Sequence, residues 1–165
     1  MQRMVSLMLV GCLCAGCYNG GGGGSAGADG GEVSDLGPRI VSMTLEPSSV
    51  LKRSTGMTDE YIAVEIRTRG FETPIQDVTV FVESPRGKEA ATYDPSARTI
   101  TQTAKQAKIE IAAEQGGIRK TWLRDLPEGM YDVGASIVSG EVELTRDDLT
   151  QVAVCERPGS PPCAE

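Results

Sequence analysis

The chain contains no histidine. The commonest general base and metal ligand is therefore missing, and catalysis would have to rest on carboxylates, as it does in glycosidases. Only 4% of the residues are aromatic, too few for the row of exposed rings that a polysaccharide-binding surface presents. No Gly-x-Ser-x-Gly and no phosphate loop occur, which removes two common catalytic frameworks. No stretch reaches 18 consecutive apolar residues, so no segment reads as a transmembrane helix. Basic residues are scarce: 16 Lys and Arg face 23 Asp and Glu, for a net charge of −7. That balance argues against a nucleic-acid partner and against electrostatic attachment to anionic lipid. The five cysteines avoid the middle of the chain, falling at Cys12, Cys14, Cys17, Cys155 and Cys163.

What is present is most pointed at the N-terminus. Arg3 precedes an apolar segment, Met4 to Gly16. Cys17 closes that segment, and a glycine run follows from Gly20 to Gly24. An apolar run of about 13 residues is too short to span a bilayer and has the length of a signal-peptide h-region. The glycines follow no strand, so they are not a dinucleotide fingerprint.

The order basic, apolar, small-small-Cys, flexible resembles the export signal of a bacterial lipoprotein. Two frames fit its lipobox. Leu13-Cys14-Ala15-Gly16-Cys17 has small residues before the cysteine, an h-region of ordinary length and an immediate glycine tether. Leu9-Val10-Gly11-Cys12 matches the box better letter by letter but leaves an h-region of only about eight residues. Cys17 is the first candidate for lipidation and Cys12 the alternative. A plain secretory signal cut near Ala15 or Ala28 is the competing reading. The resemblance implies two or three acyl chains on the cysteine, hence lasting attachment, because one chain alone gives only reversible binding. Tyr18 follows Cys17 where an Asp would signal retention, so the resemblance implies the outer rather than the inner membrane of a bacterial envelope. An exported chain folds in an oxidising compartment, where Cys155 and Cys163 can close a disulfide around Pro158, Pro161 and Pro162. With no histidine present, a metal site at these two thiols is disfavoured.

The chain divides into a signal peptide (1–16), a lipidated cysteine with a flexible Gly-rich tether (17–37), a folded domain (38–155) and a tail that the disulfide can close (156–165). The tether cannot bury enough apolar area to become ordered, and its r.m.s. span is roughly 24 Å. About 120 residues remain for one domain with a core of its own.

Inside that domain the pattern is period two, hence strands. Arg39 to Leu45 alternates, with Ile40 out of phase, and Glu46 to Ser49 reads as a turn. Glu60 to Arg67 places Ile62, Val64 and Ile66 on one face. Gln76 to Glu83 does the same with Val78, Val80 and Val82. Ala90 to Tyr93 and Thr99 to Thr103 are short candidates. Lys105 to Glu114 alternates at Ala107, Ile109 and Ile111, which suits a strand, yet its Ala, Lys, Gln and Glu suit a helix. Ile118 to Leu123, carrying Trp122, reads as a further strand, and Leu149 to Val154 as the last. About seven to nine strands joined by Gly/Pro turns give an all-β, antiparallel sandwich.

Leu126-Pro-Glu-Gly129-Met-Tyr131, followed by alternating Val133, Ala135 and Ile137, resembles the tyrosine corner of immunoglobulin-like and fibronectin-like sandwiches. The resemblance implies that the Tyr131 hydroxyl returns to backbone a few residues upstream and that Leu126 plugs the core. These are structural roles.

Asp132, Asp147 and Asp148 are acidic but read as solvated positions. A calcium site built from Asp147, Asp148, Glu141 and Glu143 lacks EF-hand spacing. No catalytic residue, metal ligand or cofactor is expected. The function that emerges is a non-catalytic, lipid-anchored envelope protein whose sandwich binds a protein partner or serves structurally. The alternative is a carbohydrate-binding accessory module, with Phe71 and Tyr93 as the aromatics free to be exposed.

Overall fold

The computed structural model describes residues 37–52 and 61–163. The expected signal segment, Cys12, Cys17 and nearly all of the expected tether lie outside the described residues.

Among the described residues ten strands fall in chain order: β1 (Arg39–Glu46), β2 (Ser49–Leu51), β3 (Tyr61–Arg69), β4 (Ile75–Ser84), β5 (Gly87–Ala90), β6 (Arg98–Gln102), β7 (Gln106–Ile111), β8 (Ile118–Arg119), β9 (Gly129–Ser139) and β10 (Val142–Cys155). One sheet has the order β1-β3-β7-β6, with β8 added to the end of β3. The other runs β2-β10-β9-β4-β5. The molecule is the expected all-β sandwich. One pair departs from the antiparallel expectation: β2 lies parallel to β10.

The core forms where the alternating faces meet. Ile62, Val64 and Ile66 of β3, Val78, Val80 and Val82 of β4, and Ile109 and Ile111 of β7 are all buried. Val133 and Ile137 of β9 join them with Val152 and Val154 of β10. Each such side chain contributes roughly 1.5–3 kcal/mol on burial.

The phase break at Ile40 has a physical cause. A bulge between Ile40 and Ser42 shifts the β1–β3 register, so Ile40 and Met43 both point inward while Val41 faces solvent. Residues 106–111 are strand, and the helix-forming composition is overruled by the inward row Ala107, Ile109 and Ile111.

Three sequence expectations need correction. Ser49 is in a strand rather than a turn. Ile118–Arg119 is a two-residue strand, and the chain then makes a helical turn, α1 (Thr121–Arg124), not more strand. Leu123 and Leu126 reach the core from that turn and the residues after it. The last strand starts at Val142, not Leu149, directly after the two-residue turn Gly140–Glu141, where Gly140 takes a positive φ of 61°.

Candidate functional site

The expected corner is present. Tyr131, the third residue of β9, is buried and donates its hydroxyl to the Pro127 carbonyl at 2.8 Å, four residues upstream. Leu126 is 1% exposed and belongs to the core. Gly129 lies under the Tyr131 ring, whose nearest atoms are 3.7 Å from where a Cβ would stand. These three residues shape the chain reversal and present no reactive group.

Cys155 ends β10 and is buried, and it is bonded to Cys163 with the Cα atoms 6.1 Å apart. The bridged segment makes two successive turns, with Ser160 N–H donating to Arg157 O and Cys163 N–H to Ser160 O. Glu128 and Lys52 tie the start of this segment to the body through Glu156.

Phe71 and Tyr93 do not form a platform. Phe71, expected to be free, is 3% exposed, because the β3–β4 loop folds it into the core while Gln102 donates to the Phe71 carbonyl. Tyr93 is half-buried and its hydroxyl donates to Val78 O at 2.7 Å. Burial raises its phenol pKa above the usual value.

Tyr93 belongs to a device that the sequence did not reveal. β5 pairs only with the last part of β4, from Phe81 to Ser84. The earlier edge of β4 is capped group by group. Ile75 N–H donates to Gln102 Oε1 at 2.9 Å, and Gln76 O accepts from Arg98. Val78 O accepts from Tyr93, and Val80 O from the Ala91 amide. Arg98 also meets Asp77 at 3.1 Å. Side chains of β6 thereby close one side of the sandwich.

A second unforeseen feature lies on the outer face of β4. Phe81 points away from the main core yet is 4% exposed. It rests against Gly134 on β9, where a Cβ would overlap the Phe81 ring and the Arg146 carbonyl. Lys88 lies 4.3 Å above the ring and bonds Asp147 at 2.7 Å. The β10 ladder breaks between Arg146 and Thr150, and Asp147 sits in that break. The isolated glycine inside a strand pattern was the available signal, since such glycines mark close backbone approach.

The acidic candidates are dispersed. Asp148 meets Arg146 at 3.6 Å, Glu143 accepts from Ser136, Asp132 accepts from Gln151, and Glu141 occupies the β9–β10 turn. Among the described residues no three His, Cys, Asp or Glu side chains converge on one point. The clearest electrostatic cluster is on the outer face of the first sheet. Hydrogen bonds from Arg67 and Lys108 hold the Glu65 carboxyl below its usual range. Glu110 and Glu65 in turn raise Lys108. Asp94 is lowered by the Ser96 hydroxyl and amide. Between the sheets a gap of about 10 Å³ is lined by Leu45, Ile62, Val80, Leu123 and Val152 among others, with no polar surface. It is a packing gap at the lower limit of space for one water.

Comparison with protein-family models, curated proteins and solved structures finds no match to this chain.

Proposed function

We propose that the protein is an acylated lipoprotein of a bacterial envelope whose single β-sandwich is a non-catalytic, protein-binding module. The observation that carries the reading is the order of Arg3, the apolar segment 4–16, Cys17 and the glycine run. The lipid would be on Cys17, or on Cys12 in the competing frame, and the outer membrane is the destination.

The sandwich itself supports a binding role over a catalytic one. Its carboxylates are spread over the surface, the corner residues are structural, and the chain has no histidine. Burial of Phe71 and the hydrogen bond of Tyr93 withdraw the two aromatics expected to be free for a sugar.

We read the sandwich as immunoglobulin-like. In support, β1-β3-β7-β6 corresponds to an A-B-E-D sheet. β10-β9-β4-β5 corresponds to G-F-C-C′, and the tyrosine corner stands at the start of the strand equivalent to F. Fold alone does not assign function.

Fractionation of cells that make the protein tests the anchor. The intact chain is expected in the outer-membrane fraction. The Cys12→Ser/Cys17→Ser double variant is expected outside it. A double variant that still sediments with the membrane overturns the reading.

A further inference from the structure

The end of β10 is buried on both of its faces. Val152 and Val154 belong to the core, so Cys155 falls at an outward position. Such a position at a strand end is ordinarily solvated, yet Cys155 is 0% exposed. What bonds it from outside is Cys163, which closes the ring 155–163 and is itself part-exposed. The ring has little else to hold it down. Residues 156–162 include no aliphatic or aromatic side chain outside proline. Among the described residues, the ring's polar ties to the body are at Glu156, through Glu128 and Lys52. Beyond Glu156 its hydrogen bonds are internal turns, from Ser160 to Arg157 O and from Cys163 to Ser160 O.

We propose that the ring is a thiol-opened lid hinged at Glu156. Cys163 is the sulfur that an incoming thiol attacks, and Cys155 is the sulfur that opening uncovers. Thiol–disulfide exchange needs access to one sulfur, and burial closes Cys155 to it. A thiolate bonds Cys163 Sγ, the bond between the two cysteines breaks, and Cys155 leaves as a thiolate that takes a proton from water. One disulfide replaces another, so no further oxidant or reductant is consumed. The bridge is the ring's last tie to the body beyond Glu156 among the described residues. A Pro, Gly and Ser segment buries too little apolar area to stay ordered without it. The lid then lifts while β10 keeps its pairing with β9 and β2. The reverse exchange shuts it. The inference does not depend on the lipid anchor or on a protein partner.

The test incubates the full chain with excess glutathione under native conditions and quenches with iodoacetamide. Fragment-ion mapping then assigns each cysteine. Glutathione is expected on Cys163 in about tenfold or greater excess over Cys155, with Cys155 alkylated in the same molecules. The opened protein should keep a cooperative thermal transition. Glutathione mainly on Cys155 would overturn the assignment of the two sulfurs. Cys155 left unalkylated beside a glutathione-bearing Cys163 would show that no lid lifts. A disulfide that reacts only in denaturant, or an opened chain without a cooperative transition, would also overturn the proposal.

Discussion

At the scale of single residues, this fold depends on a few polar groups placed against backbone. Tyr131 is the clearest, with its hydroxyl on Pro127 O. Tyr131→Phe keeps the ring in the core and removes that bond. Urea denaturation should show a loss of about 1 kcal/mol, and unchanged stability would remove the corner's energetic role. Asp94 caps a 3-10 turn by accepting from the Ser96 amide, and its pKa is lowered. A lowered carboxylate stabilises the fold above its unfolded pKa, and that contribution is lost as pH falls through the folded value. Glu65 acts in the same direction. The thermal midpoint should therefore fall with acidification below about pH 4. Asp94→Asn should flatten part of that slope, and an identical slope would contradict the assignment. Lys108 has the opposite sign: its raised pKa stabilises the fold at neutral pH and ceases to do so at the alkaline end.

At the scale of elements, the central strands were legible because each carries an alternating row of apolar residues on its inward face. β3, β4 and β9 each carry an unbroken inward row, and a one-residue slip would expose all of it. The corner was legible because it needs particular residues at fixed spacing. What escaped was structure held by remote partners. β2 is three residues long and exists because β10, about a hundred residues later, pairs with it. The first part of β10, Val142 to Asp148, is mostly exposed, so it has no apolar alternation to read. The fate of Phe71 depended on a loop closed by Gln102, a polar residue with no sequence signature. The β4 edge offers the test. Gln102→Ala frees the Ile75 amide, whose hydrogen exchange should quicken about tenfold while that of Ile109 in the central strand β7 stays slow. Equal protection at Ile75 would show that Gln102 does not cap the edge.

At the scale of the whole molecule, strand edges are blunted among the described residues. β1 carries a bulge, β2 and β5 are short, β6 is tied to β4 by Arg98 and Gln102, and the β10 ladder is interrupted at Asp147 and Asp148. A net charge of −7 adds colloidal repulsion. These features suit a domain that does not add strands to its neighbours. The proposed tether and lipid would then set where the domain is displayed. The central claim is the lipid itself, and mass spectrometry of the N-terminal peptide tests it most directly. The expected species begins at Cys17, or at Cys12, and carries a diacylglyceryl adduct. Unmodified Cys12 and Cys17 on a chain recovered from a membrane-free fraction would contradict it.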